Sequence, residues 1–140
     1  MITKLSPALK NYIEMNIDDI EKGNLTNSIV YCPLDIMQDY LDTLRMVDEV
    51  IPGHLIPFTR ISCCLASFLH RGQLIKTHYR ATGDETYEFE FPVQNVDYEK
   101  LRRELTDCCP YHCTTVDIGL DYNSCLSIKV SIQPISKFKF

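Results

Sequence analysis

The chain has no tryptophan, only five glycines, and no basic run longer than the pair Arg102-Arg103. Each shortage excludes something. The glycines stand singly at positions 23, 53, 72, 83 and 119. A phosphate-cradling loop or a dinucleotide-binding fingerprint needs them closely spaced, so neither can be drawn. The missing basic run argues against direct nucleic-acid binding, because neutralising phosphates supplies most of that affinity. The net charge of −5 points the same way.

Long apolar runs are also missing. The longest, Ile61 to Leu69, is far short of the roughly 20 residues that cross a bilayer. The segment Met1 to Pro7 lacks the apolar centre of a secretory signal. The expectation is a cytoplasmic protein with no membrane partner. Seven cysteines are many, but the number is odd and no paired C-x-x-C array accompanies them. They are expected to be free thiols in a reducing compartment, several buried as small hydrophobes.

What is present suits a folded domain. The chain has 140 residues, of which 45% are hydrophobic and 24% charged, enough for one real core. Ser6-Pro7 is a helix start, a hydroxyl cap followed by proline. Leu9, Tyr12, Ile13, Ile17 and Ile20 share one face, and Gly23 can cap the end, so a helix is expected over residues 7–22. Residues 24–31 read as loop. A second helix is expected from Pro33 to Asp48, with an apolar stripe of Ile36, Met37, Tyr40, Leu41, Leu44 and Val47. A third runs through Phe58, Ile61, Cys64, Leu65, Phe68 and Leu69, with Gly72 as its stop.

After Gly72 the apolar period changes to two. Ile75, Thr77 and Tyr79 form one run, and Tyr87, Phe89 and Phe91 another. A three-residue loop Thr82-Gly83-Asp84 would pair Tyr79 with Tyr87, Thr77 with Phe89 and Ile75 with Phe91, and set His78 opposite Glu88 and Lys76 opposite Glu90. Asp97 caps the next helix, stapled by Val96 and Leu101 and ending near Cys108. A second hairpin sets Val116, Ile118 and Leu120 against Leu126, Ile128, Val130 and Ile132 across a five-residue loop, with Asp117 opposite Lys129. The expected fold is one α+β domain over residues 1–140. Three N-terminal helices occupy about 6–72. A ββαββ unit follows from about 73, whose four-stranded antiparallel sheet is covered on one face by helices. The tail Ser136 to Phe140 either docks or stays loose.

Three groups of residues could carry function. Glu14, Asp18 and Glu21 recur at i, i+4 and i+7, and Asp35, Asp39 and Asp42 repeat that spacing. Each set makes an acidic stripe beside an apolar one, and merged stripes would attract a basic partner. Such stripes are also common as plain solvated faces. Cys109, His112 and Cys113 are ligand types that could converge on zinc, although the same segment reads equally as a turn with buried thiols. His54, His70 and His78 stand alone. The aromatic residues of the first hairpin are expected to be core, with a hydrophobic ligand cleft between sheet and helices as the alternative.

No oxyanion-hole signature or Gly-rich loop accompanies these groups, so a non-enzyme is favoured over an enzyme and no cofactor is implied beyond that zinc. The leading expectation is a protein-binding protein that regulates or inhibits a basic or nucleic-acid-handling partner through its acidic helical face. The alternatives are a small-ligand domain and a zinc or thiol protein centred on Cys108 to Cys113. Exposed sheet edges make a symmetric homodimer a reasonable expectation.

Overall fold

The computed structural model describes residues 5–135; the tail Ser136 to Phe140 lies outside them. The elements, in order, are α1 (Pro7–Met15), α2 (Ile17–Glu21), α3 (Thr26–Val30), α4 (Leu34–Met46), a 3-10 turn (Gly53–Leu55), α5 (Ile56–Phe68), β1 (Gln73–Tyr79), β2 (Glu85–Phe91), α6 (Tyr98–Asp107), β3 (His112–Leu120) and β4 (Leu126–Pro134). The architecture is α+β, with helices first and then a four-stranded antiparallel sheet in the order β1-β2-β4-β3. Helices α5 and α6 lie against its apolar face.

The first expected helix is in fact two. Asn16 leaves helical geometry (φ −114°, ψ 15°), and its side-chain amide donates to the Tyr12 carbonyl at 2.8 Å. This local bond competes with the backbone ladder and breaks it there. The end is as expected: Gly23, at φ +71°, donates to Ile20, and Asn24 donates to Asp19, closing the last turn. Residues 24–31 are not plain loop. Leu25 and Ile29, four apart, are buried, and they anchor the short α3 between them.

Around α3 lies a polar network. The Tyr40 hydroxyl donates to Ser28 Oγ at 2.9 Å, Ser28 Oγ donates to the Leu25 carbonyl at 2.9 Å, and the Tyr12 hydroxyl donates to the Ser28 carbonyl at 2.5 Å. The Tyr12 and Tyr40 rings meet edge to face at 5.3 Å. Burial raises the pKa of both tyrosines, and burial followed by the nearby Cys63 pushes the Cys32 thiol up to about 12. A raised pKa means that the folded state holds its proton more tightly than the unfolded chain. This stabilisation is complete below the unfolded value, 9.0 for a thiol, and is lost as pH climbs towards the folded one. Urea midpoints should therefore fall steadily between about pH 9 and pH 12, and Cys32→Ala should flatten that slope. An equally steep slope in the variant would show that Cys32 contributes nothing to it.

In the second hairpin the register is as the alternation requires: Val116 faces Val130, Ile118 faces Ile128, Leu120 faces Leu126, and Asp117 faces Lys129. The first hairpin differs by two residues. Thr77 faces Tyr87, Lys76 faces Glu88, His78 faces Thr86 and Tyr79 faces Glu85. The loop is Ala81-Thr82-Gly83, closed at 2.9 Å by the Arg80 amide donating to the Asp84 carbonyl and by the Gly83 amide donating to the Arg80 carbonyl, with Gly83 at φ +91°. It is the three-residue, left-handed-glycine loop expected, placed one residue earlier. A bulge at Ile75 then shifts the strand, so Leu74 and Thr77 turn inward while Ile75 and Tyr79 are each 53% exposed.

The core is built on β2 and β4. Tyr87, Phe89, Phe91, Leu126, Ile128, Val130 and Ile132 form one buried face. Phe58 of α5 lies on it, nearly parallel to Phe89 at 6.4 Å and tilted against Tyr87 at 5.3 Å. Asp97 caps α6 by accepting from the Lys100 amide at 3.1 Å, and Leu101 and Leu105 bury its inner side.

Candidate functional site

All six carboxylates of the expected acidic face are exposed, but they are not equivalent. On α4, the Asp35 carboxylate accepts the Arg71 amide at 3.2 Å and so ties the start of the helix to the turn before β1. Arg71 sits there at φ +62°. Asp42 accepts from Gln38 at 3.0 Å and pairs with Arg45 at 3.3 Å, an exposed contact worth under about 1 kcal/mol. Among the described residues nothing bonds to the Asp39 carboxylate. The break at Asn16 places Glu14 on α1 and Asp18 and Glu21 on α2, so these three do not form one stripe along a single axis.

A different convergence replaces it. Tyr40 feels both Asp19 of α2 and Glu49, just past the end of α4. Negative charge from two segments therefore lies within range of one buried tyrosine hydroxyl. Exposed apolar side chains stand in the same stretch: Met46, Val47 and, at 83% exposure, Val50. Asp19 escaped the helical-stripe reading because it is off the i, i+4 series; it is half-buried.

Cys109, His112 and Cys113 are not brought together. Cys109 is buried with its thiol 3.6 Å from the Pro57 carbonyl, His112 Nδ1 lies 3.0 Å from the Pro110 carbonyl of its own turn, and Cys113 is exposed on β3. Successive strand residues point to opposite faces, which separates His112 from Cys113. Among the described residues the one close group of three such ligands is Glu90, Asp121 and Cys125. It has a structural origin: Asp121 accepts the amides of Asn123 and Cys125 at 2.9 and 3.0 Å and shapes the β3–β4 turn. Glu90 shares a hydrogen bond with Asp121, which raises the Glu90 pKa and lowers that of Asp121.

The segment brings other partners together instead. Cys108 and Cys109 have their sulfurs 3.6 Å apart, and Cys64 lies on α5, which packs against α6. Donation by the Cys109 and Cys64 thiols holds the Cys108 thiol well below its ordinary range, with Arg60 assisting. The Cys64 and Cys109 thiols are raised in turn. Beside this cluster, a cleft of about 420 Å³ is bordered by His54, Arg60, Glu85, Tyr111 and His112. Tyr111 there holds φ +68°, a strained value for a bulky residue.

Between sheet and helices, Tyr87, Phe89, Phe91 and Phe58 are at most 1% exposed and pack as core. The larger open groove, about 500 Å³, runs along β1 and is bordered by residues 30–33 and 72–77. Strand β1 is one edge of the sheet, and β3 is the other, where Arg102 of α6 donates to the Val116 carbonyl at 2.5 Å. Among the described residues no helix is long and apolar enough to cross a membrane. No family model matches the chain, and neither do any curated proteins or solved structures.

Proposed function

We propose that this is a non-enzymatic protein-binding protein, one that regulates or inhibits a basic partner through the acidic face of α4 and the segment following it. One observation carries the reading. Between Asp39 and Val50, the exposed carboxylates Asp39, Asp42 and Asp48 share one stretch with the exposed apolar side chains Met46, Val47 and Val50. Carboxylates steer a cationic partner and set its orientation. Apolar side chains beside them supply the surface whose burial gives affinity.

The test is Asp39→Lys combined with Asp42→Lys. Asp35 is left alone because its bond to Arg71 is structural. Basic proteins captured from a lysate of the native host by the wild-type chain should drop at least tenfold with the variant, while the melting temperature moves by no more than about 2 °C. Capture by the wild type should weaken as salt rises. An unchanged set of captured proteins would remove the acidic face from the reading.

The cleft near Arg60 favours a second reading, a small-ligand site for an anion. It predicts a ligand-induced rise in melting temperature that is identical in the wild type and the charge-reversed variant.

A further inference from the structure

A row of charges crosses the sheet on the face opposite the core, and at β1 it stops unfinished. Lys76 of β1 faces Glu88 of β2, Glu88 faces Lys129 of β4, and Lys129 faces Asp117 of β3. The four alternate in sign from one edge of the sheet to the other. Facing side chains on neighbouring antiparallel strands have Cβ atoms about 4.5–5.5 Å apart, so opposite charges favour the alignment. Lys76 has a neighbour of this kind on one side only. It is exposed and makes no hydrogen bond or ion pair among the described residues. A strand added beyond β1 would continue the alternation by bringing a carboxylate to this row.

The backbone of β1 is equally unfinished. The strand pairs only with β2. Its outward N–H and C=O groups between Gln73 and Tyr79 therefore have no partner among the described residues. Beside them runs the groove of about 500 Å³. Consecutive residues from Gly72 to Thr77 border it although their side chains alternate between faces, so it follows the edge of the strand. Its other wall is residues 30–33, at the end of α3. The bordering stretch of β1 spans roughly 20 Å of extended chain. An added strand of that length turns one set of alternate side chains towards Lys76. The other set turns towards Val30, Cys32 and Leu74, all at least partly buried against the core.

We propose that β1 accepts an extended acidic segment of another protein as a further strand of the sheet, with carboxylates and apolar side chains alternating along it. Backbone pairing supplies the affinity, and the alternate side chains supply the selectivity. Local charge favours this occupant. Residues 70–80 contain Arg71, Lys76 and Arg80 and no carboxylate, in a chain whose net charge is −5. The same segment of a second copy therefore cannot bring a carboxylate to Lys76 in any register. The opposite edge of a second copy does carry Asp117, but there the Arg102 side chain already occupies the Val116 carbonyl at 2.5 Å.

The probe is an acetylated, amidated octapeptide of alternating glutamate and valine, titrated into the isotope-labelled full chain at low salt and followed by the backbone amide resonances. Shift changes should centre on residues 73–79, and the outward amides of that strand should exchange more slowly with solvent. Lys76→Gln should weaken binding about twofold, and Lys76→Glu at least about fivefold. Lys76→Glu should in turn bind the lysine–valine octapeptide more tightly than the wild type does. Lys76→Gln keeps the test decisive if a glutamate facing Glu88 disturbs the edge. A fully N-methylated version of the acidic peptide keeps the charges but cannot donate to the strand, and it should not bind. The proposal is overturned if Lys76→Gln binds as tightly as the wild type, if the N-methylated peptide binds as well as its parent, if the shift changes lie away from β1, or if nothing binds up to about 1 mM peptide. Changes at β1 that grow with protein concentration alone, together with a dimer in sedimentation, would overturn it by giving the edge to a second copy. None of these outcomes bears on the acidic face of α4.

Discussion

Replacing Phe58 with alanine is expected to remove about 3–5 kcal/mol of stability, the usual cost of deleting a buried aromatic ring. Phe58 is 1% exposed and is the α5 side chain that meets both Tyr87 and Phe89. Its loss forfeits hydrophobic burial and two ring contacts, and it leaves a cavity that close-packed neighbours can only partly close. For a chain of this length the melting temperature should fall by roughly 10–15 °C. Tyr79, also in ring contact with Tyr87 but 53% exposed, is the control: Tyr79→Ala should cost no more than about 1 kcal/mol. The cavity would be lined by apolar groups, so it should stay dry and accept benzene-sized molecules that partly restore the melting temperature. A Phe58→Ala protein within about 1 kcal/mol of wild type would mean that the helical layer does not close on the sheet at this ring.

The two hairpins show where alternation specifies structure and where it does not. In β3 and β4 the apolar residues alternate on both strands, and the five-residue loop leaves one register that matches both patterns and also aligns Asp117 with Lys129. In β1 only one partner of the pair is disciplined. Tyr87, Phe89 and Phe91 are all buried, but β1 is an edge strand and gives up Ile75 and Tyr79 to solvent. A slip of two residues keeps every side chain on its face, so alternation cannot detect it. The position of Gly83 could have settled it, because a left-handed third loop residue requires the loop to end at Gly83 rather than Asp84.

Local chemistry hid other features. The apolar spacing from Leu9 to Ile20 continues through Asn16 without interruption, and the break comes from one amide that bonds backwards to Tyr12. Helix α3 is five residues long, too short for periodicity to separate it from loop, although the Leu25–Ile29 spacing was visible. The candidate sites were harder still. Cys109, His112 and Cys113 attract notice by being close in sequence, yet the strand at His112 and the burial of Cys109 separate them. What faces what where α5 packs on α6 depends on the rotational setting of two helices against each other. Nothing in a single sequence encodes that setting directly. The acidic residues of α4 were legible because an exposed helical face needs only its own period.

Gly72 illustrates a constraint of space rather than of backbone conformation, and it carries the second large expected effect. A Cβ built there would lie 1.9 Å from Cε2 of Phe91 and 2.4 Å from Cδ2 and Cζ. The ring cannot swing aside into solvent, because Phe91 is 1% exposed and is part of the core face of β2. Gly72→Ala should therefore force the chain entering β1 away from the sheet, at a cost of about 2–3 kcal/mol. It should also loosen the adjacent ties, the Gln94 side chain bracketing His70 and the Asp35 carboxylate on the Arg71 amide. Gly119 on β3 is the matched control: nothing lies within 4 Å of its built Cβ, and Gly119→Ala should be neutral or slightly stabilising. The cause can be isolated with a double-mutant cycle in urea. Phe91→Leu removes the ring atoms that obstruct the methyl group, so Gly72→Ala should cost at least about 1 kcal/mol less in that background than in the wild type. Strict additivity of the two changes would place the penalty elsewhere than at the contact between residue 72 and the Phe91 ring.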